Sequence, residues 1–99
     1  MSSGPSSARE AAEALAIQAL TYIAGDAERL GRFLAATGIA PTEIRSAASE
    51  PEFLAGVLDY LVGDVGLLTS FSESTAIDPE TVEQARVLLS GTPWERDIP

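Results

Sequence analysis

The sequence predicts an all-α fold, a compact helical bundle of about six helices. Apolar residues make up 45% of the 99 residues, and much of this share is alanine and leucine, which favour helix. Glycine, proline and aspartate recur where helices would begin and end. The chain also matches itself without a gap at an offset of 38 residues, which relates Gly25 to Gly63. Such self-similarity is typical of a duplicated helical unit.

The match is clearest between residues 25–44 and residues 63–82. The identical pairs are Gly25/Gly63, Asp26/Asp64, Leu30/Leu68, Phe33/Phe71, Thr37/Thr75, Ile39/Ile77 and Pro41/Pro79, with Leu20/Leu58 and Tyr22/Tyr60 upstream. We therefore predict two pseudo-symmetric three-helix repeats, residues 8–48 and 49–91, that form one closed domain with helices one and four at its centre. Residues 1–7 are expected to be a disordered tail, and residues 92–99 a second tail.

In the first repeat, Ser7 and Glu10 form an S-x-x-E pattern that predicts a capped helix from about Ala8 to Ala24. Helix two is expected from about Ala27 to Thr37, between an Asp26 cap and a left-handed stop at Gly38. Its predicted inward side chains lie at i, i+3, i+4 and i+7, and these are Leu30, Phe33, Leu34 and Thr37. A short helix three follows over residues 41–48.

In the second repeat, Ser49 and Glu52 form another such box at the start of helix four, Pro51 to Val62. Helix four is the most hydrophobic, as a central helix would be. Helix five is predicted from Val65 to Thr75 behind an Asp64 cap, and helix six from Pro79 to Ser90 between Asp78 and Gly91. The predicted inward side chains of helix five are Val65, Leu68, Phe71 and Thr75.

The net charge of −9 is unevenly distributed. Residues 1–49 hold five acids and four arginines, whereas residues 50–99 hold ten acids and two arginines, so the halves carry −1 and −8. A duplex nucleic-acid binder needs a basic face, so we expect no nucleic-acid partner. The acidic surface either keeps the protein in solution, which we favour, or meets a basic partner.

The residue inventory argues against an enzyme. The chain has no cysteine, no histidine and no lysine, so nucleophile activation and proton shuttling have few routes. Neighbouring acids such as Glu80 and Glu83 are read as exposed helix positions, and Gly25-Asp26 and Gly63-Asp64 as N-caps rather than phosphate turns. We predict no catalytic residue, no metal site and no cofactor.

The longest apolar stretch, residues 14–24, is too short to span a bilayer. The polar start of the chain does not resemble the basic region of a signal peptide. We expect a cytoplasmic protein with no membrane partner.

Differences between the repeats indicate where an asymmetric function would lie. Copy one has Glu28, Arg29, Arg32 and Leu34 where copy two has Gly66, Leu67, Ser70 and Ser72. Leu67 either widens the buried face, which we favour, or belongs to a contact patch. Trp94 either packs back on the bundle or is offered to a partner. The candidate partner contacts are Leu67, Glu73, Glu80, Glu83 and Trp94.

The segments YIAGDAERLGRFLAATGI, FLAGVLDYLVGD and IDPETVEQAR carry a resemblance to a known family. Over about residues 12 to 91 the chain resembles DUF3572, a family of short alphaproteobacterial proteins of unknown function, and it reproduces the pattern D-x-E-R-L-x-x-F-L with its spacing. The resemblance implies a small helical cytoplasmic protein, and it carries over no functional residue.

The sequence therefore predicts a non-catalytic protein–protein interaction or regulatory module. Its predicted partner is another protein with a basic and apolar surface, and a homodimer remains open. The alternative, from another functional class, is a helical bundle that holds an apolar small molecule between helices one and four.

Overall fold

The computed structural model describes the backbone of residues 5–90 and the side chains of residues 8–90. Every regular element in this part of the chain is helical, which confirms the all-α prediction. The helices are α1 (Pro5–Ala24), α2 (Ala27–Thr37), α3 (Ile44–Ala47, entered from a 3-10 turn, Pro41–Glu43), α4 (Pro51–Val62), α5 (Val65–Thr75) and α6 (Pro79–Ser90).

The core lies where α1, α4 and α6 pack on one another, with α2 against α1 and α5 against α4. Helices one and four are central, as predicted, and α6 joins them as a third central helix, which the sequence did not indicate. The side chains of α4 that face this core are buried, and each contributes about 1.5–3 kcal/mol; they are Leu54, Val57, Leu58 and Leu61.

Both predicted S-x-x-E capping boxes are wrong, and proline is the reason. α1 begins at Pro5, so Ser7 lies inside the helix rather than at its N-cap. α4 has Glu50 as its N-cap, in an extended conformation and without a side-chain cap, while the Ser49 hydroxyl donates to the Ser46 carbonyl (2.9 Å). Proline favours the first helical turn and keeps the preceding residue extended, so Pro51 fixes where α4 begins.

The predicted caps of α2 and α5 are confirmed. Asp26 Oδ2 accepts from the Arg29 amide (3.0 Å), and Asp64 Oδ1 accepts from the Leu67 amide (3.1 Å). Gly38 ends α2 in the left-handed conformation, with φ 75°.

The end of α5 carries a feature that the sequence did not indicate. Ala76 has φ 63° and occupies the left-handed position that follows α5. An L-residue with a side chain is strained there by about 1–2 kcal/mol. The same left-handed ending is therefore formed by a glycine after α2, at Gly38, and by a strained alanine after α5, at Ala76.

Phe33 and Phe71 are both fully buried, as predicted. Each ring packs edge-on against a tyrosine from the other half of the chain: Phe33 against Tyr60 (centroids 5.1 Å apart) and Phe71 against Tyr22 (5.6 Å). Such edge-to-face pairs contribute about 0.5–1.5 kcal/mol beyond their burial. The two halves are thus joined crosswise through their aromatic residues.

The predicted inward face of α5 is wrong at its first residue, and that of α2 at its last. Val65 is 77% exposed because it is the first residue of α5. A helical side chain leans over the turn that precedes it, and no helical turn of α5 precedes Val65. Thr37 is exposed, and its hydroxyl donates to the Phe33 carbonyl (2.9 Å). Leu67 is half-buried against the core, which is the outcome favoured for it.

Within residues 5–90, no single helix is long and apolar enough to cross a membrane, and α4 with α5 meets that criterion only as a pair bent by 103°.

Candidate binding cleft between helices α2 and α5

An open cleft of about 290 Å³ lies between α2 and α5. Tyr60 of α4 lines it, and the turn before α5 contributes Asp64. The helices themselves contribute two arginines from α2 and a glycine, a leucine and a serine from α5. The complete lining is Arg29, Arg32, Tyr60, Asp64, Gly66, Leu67 and Ser70.

Residues at equivalent positions of the two halves meet in this cleft. At the 38-residue offset Arg29 corresponds to Leu67, and Arg32 corresponds to Ser70. Both members of each pair line the cleft, and both pairs are positions where the halves differ. Two of the pairs at which the halves differ therefore meet at one place on the surface.

Arg29 is held at the edge of the cleft by its contacts with Tyr22. Its guanidinium carbon lies 4.1 Å from the centre of the Tyr22 ring, and its Nε and Nη2 donate to the Tyr22 carbonyl at 3.3 and 2.9 Å. Within residues 8–90, the ion pairs that the structure records do not include Arg29. The half-buried cation thus has a fixed position and no carboxylate partner in the described part of the chain.

Arg32 lies one turn further along α2. Its side chain is 71% exposed, and its one recorded ion pair is with Glu28 at 3.5 Å. Exposed pairs of this kind contribute about 0–1 kcal/mol. Arg32 is therefore free to exchange Glu28 for another anion at little cost.

The opposite wall is fixed through Tyr22. The Tyr22 hydroxyl hydrogen-bonds to the Ser70 hydroxyl on α5, while its ring and the Phe71 ring form an edge-to-face pair. The tyrosine that lies against Arg29 on one side of the cleft thus also holds Ser70 on the other. This side chain makes the cleft a preformed feature of the bundle.

Two further clefts lie away from the α2–α5 cleft, and both are lined in part by α6. One, of about 320 Å³, lies between α4 and α6 and contains Asp59 and Arg86. Here Arg86 is already paired, with Glu83 at 2.5 Å and with Asp59 at 3.5 Å. The hydrogen bond from Arg86 lowers the pKa of Glu83 below its ordinary value.

The other cleft, of about 240 Å³, is an apolar groove between α1 and α6. It is lined mainly by alanines together with Leu15 and Leu88. Leu88 is 44% exposed, and its carbonyl accepts from Arg9 at 3.3 Å. This contact shows that the start of α1 lies beside the end of α6.

The structure separates the candidate contacts that the sequence indicated. Leu67 lines the α2–α5 cleft, whereas Glu73 on α5 and Glu80 in the first turn of α6 are exposed and line none of the three clefts. Glu83 is half-buried and paired with Arg86. Trp94 lies outside the described residues.

Arg29, Arg32, Tyr60 and Ser70 were not among the candidate contacts, although the structure brings them together around Leu67. The signal that could have found three of them is the comparison of the two repeats, because each belongs to a divergent pair. Tyr60 carries no such signal, since its counterpart is the identical Tyr22.

No group of three or more histidine, cysteine, aspartate or glutamate residues that could hold a metal ion occurs within the described part of the chain. The carboxylates nearest the cleft have other partners, since Asp64 caps α5 and Glu28 pairs with Arg32. What the cleft offers chemically is two arginine cations against one capping carboxylate, hydroxyl groups and the apolar side chain of Leu67.

No curated protein matches this sequence, and no solved structure matches it. One family does, described as "Protein of unknown function (DUF3572)", over residues 9–92. The match includes every helix described above except the first turn of α1. Since it spans most of the 99 residues, the chain belongs to the DUF3572 family.

Proposed function

We propose that this protein is a small, non-catalytic interaction module that binds another protein through the α2–α5 cleft and the adjoining surface of α5. The observation that carries the proposal is the convergence of Arg29, Arg32, Leu67 and Ser70, at which the two halves differ, on a single cleft. Most identical positions are occupied by caps and core and serve folding, although Tyr60 and Asp64 also line the cleft. Surface differences between the halves are free to serve recognition.

The proposal includes a duplication of one three-helix unit. Support comes from α2 and α5, which have equal lengths, equivalent aspartate caps and equivalent left-handed endings. The crosswise tyrosine–phenylalanine pairs are also related by the same offset. The third elements differ, because α3 has four residues and α6 has twelve, so the proposed symmetry applies best to the first two helices of each unit.

An apolar contact adjoins the cleft. Val65 is 77% exposed and stands between Asp64 and Gly66, which both line the cleft. A contiguous apolar patch on the surface marks an interaction site, and Val65 lies two residues from Leu67 in the chain. Val65 and the half-buried Leu67 would together form the apolar centre of the interface.

Charge supports a partner with a basic and apolar surface. The net charge is −9, and Glu73 and Glu80 are exposed on α5 and α6. An acidic field of this kind speeds the approach of a basic partner and repels nucleic acid. The cytoplasm is the proposed location. Because the partner could be a second copy of the chain, analytical ultracentrifugation of the purified protein must first test for a homodimer.

The experiment compares two single substitutions at exposed apolar residues. A partner is captured from the native host with the full chain, purified, and its affinity is measured against Val65→Glu and Ile17→Glu. Ile17 is 46% exposed on α1 and lines none of the three clefts. We expect Val65→Glu to abolish binding and Ile17→Glu to leave it unchanged, whereas equal effects would refute the assignment of the surface.

The alternative function, an apolar ligand between α1 and α4, has less support. None of the three clefts lies between these helices. The facing side chains of α1 and α4 are packed within one core, and among them Ala16, Ala19, Leu58 and Leu61 have no exposed surface. A ligand there would have to displace side chains that stabilise the fold.

A further inference from the structure

We propose that the α2–α5 cleft binds a carboxylate that the partner protein carries next to an apolar side chain. That the carboxylate belongs to a partner protein rests on the proposed function. That the cleft binds a carboxylate is argued from the cleft alone. It gives the partner an acidic group at one point of a surface that is otherwise basic and apolar.

The first argument is the state of Arg29. A guanidinium has five N–H donors, and the structure shows two of them donating to the Tyr22 carbonyl. The Tyr22 ring covers one face. The remaining donors have no recorded hydrogen bond or ion pair within residues 8–90. A cation that is already immobilised loses little entropy when it binds a planar carboxylate.

The second argument is the arrangement of neutral and charged groups around Arg29. Arg32 lies three residues further along α2 and therefore on the same side of the helix. The Ser70 hydroxyl and the Leu67 side chain belong to the opposite wall, and Tyr60 lines the cleft between them. The α2 wall of the cleft thus offers charged donors to a carboxylate, and Leu67 on the α5 wall offers apolar surface to its neighbour.

The carboxylates near the cleft do not occupy these donors. Asp64 lines the cleft, but its Oδ1 accepts from the Leu67 amide at 3.1 Å and caps α5. Glu28 is bound to Arg32 at 3.5 Å, with both side chains mostly exposed. Arg86 provides a contrast within the same protein, because it is held by two carboxylates, Glu83 and Asp59.

The size of the cleft favours a side chain of a partner over a complete small ligand. Its volume of about 290 Å³ lies at the lower limit of small-molecule pockets, which start at about 300 Å³, and the cleft is open to the surface. Long-range attraction between the acidic protein and a basic partner would speed association. In the cleft the charges are reversed, with the cation on this protein and the carboxylate on the partner. That contact would then fix the orientation of the complex.

The direct test uses hexanoate as the probe and uncharged hexanamide as its matched control. Both are titrated into the full-length ¹⁵N-labelled protein, and NMR follows the side-chain N–H groups of Arg29, Arg32 and Arg45 and the amides of Leu67 and Ser70. We expect saturable shifts with hexanoate at the cleft, much smaller shifts with hexanamide, and little change at the exposed Arg45. Equal shifts with both probes, or at Arg45, would overturn the inference.

Two substitutions sharpen the test. Arg32→Gln removes an exposed charge and is expected to weaken hexanoate binding about tenfold, as the loss of one charge-assisted hydrogen bond does. Arg45→Gln removes the same charge from α3 and is expected to change nothing. Unchanged binding with Arg32→Gln would contradict the inference.

The captured partner distinguishes this inference from the proposed function. If Arg32→Gln weakens hexanoate and the partner alike, the partner carries the carboxylate. If hexanoate binds as expected but the partner is insensitive to Arg32→Gln and sensitive to Val65→Glu, the assignment of the carboxylate to the partner is wrong while the interaction surface stands. If the partner is insensitive to Val65→Glu, the proposed function fails whatever hexanoate does.

Discussion

The two left-handed helix endings predict opposite effects for the same pair of residues. Gly38 and Ala76 correspond at the 38-residue offset of the sequence, and their φ angles are 75° and 63°. We expect Gly38→Ala to destabilise the protein and Ala76→Gly to stabilise it. The change is one methyl group in each case, and only the direction differs.

The magnitude follows from the backbone and not from packing. A Cβ added at Gly38 would meet nothing within 4 Å, and Ala76 is exposed, so neither change alters core contacts. A left-handed alanine costs about 1–2 kcal/mol, while glycine gives the unfolded chain extra freedom of about 0.4–1 kcal/mol. The difference predicts a change of about 1 kcal/mol, or about 4–8 °C in Tm for a domain of this size.

The assay is thermal and urea denaturation followed by circular dichroism. Gly31→Ala is the matched control, because Gly31 is inside α2, without a positive φ and with nothing within 4 Å of an added Cβ. Alanine has the higher helix propensity, so this glycine-to-alanine change should stabilise by about 1 kcal/mol. A loss of stability with Ala76→Gly, or Gly38→Ala and Gly31→Ala shifting Tm in the same direction, would refute the reasoning.

Two further predictions concern the core and one ion pair. Phe33→Ala and Phe71→Ala should each lower the free energy of unfolding by about 3–5 kcal/mol, since each empties a fully buried ring site; an unchanged urea midpoint for either would show its ring to be peripheral. The pKa of Glu83 is lowered by its hydrogen bond with Arg86, so this pair stabilises the fold above the ordinary glutamate pKa and ceases to do so as the pH falls through the lowered value. Glu83→Gln should therefore flatten the acid side of the Tm-versus-pH curve, and a curve identical to that of the unsubstituted protein would contradict the assignment.

The features that could be predicted from the sequence are those set by local chemistry. Asp26 and Asp64 act as caps because their carboxylates bind amides only three residues away. Gly38 ends α2 because glycine adopts the left-handed conformation without strain. These interactions lie within one helix end, so their residues are neighbours in the chain and can be read there.

The features that were missed depend either on competition between local preferences or on how distant elements meet. Pro51 displaced the capping box expected at Ser49, because two local preferences competed and the backbone restriction prevailed. Ala76 adopts the left-handed conformation although its type disfavours it, so the fold around it sets the backbone. The place of α6 in the core follows from tertiary packing that the 38-residue repeat does not specify.

The cleft could be predicted from the sequence only in part. Comparing the repeats identified Arg29, Arg32, Leu67 and Ser70 as different, and the sequence could go no further. Which faces of α2 and α5 approach each other depends on the packing of α1 against α4, and Tyr60 enters the cleft for the same reason. The sequence thus indicated residues that matter, while the structure was needed to show that they share a site.

The crosswise tyrosine–phenylalanine contacts have a consequence for the proposed duplication of the three-helix unit. Each half covers the aromatic ring of the other, so an ancestral single unit would have left its own ring exposed unless it paired with a second copy. In such a homodimer, the cleft on the two-fold axis would have carried identical residues on both walls. Under the proposed duplication, joining the two units in one chain removes that restriction, so that Arg29 on one wall can stand opposite Leu67 on the other.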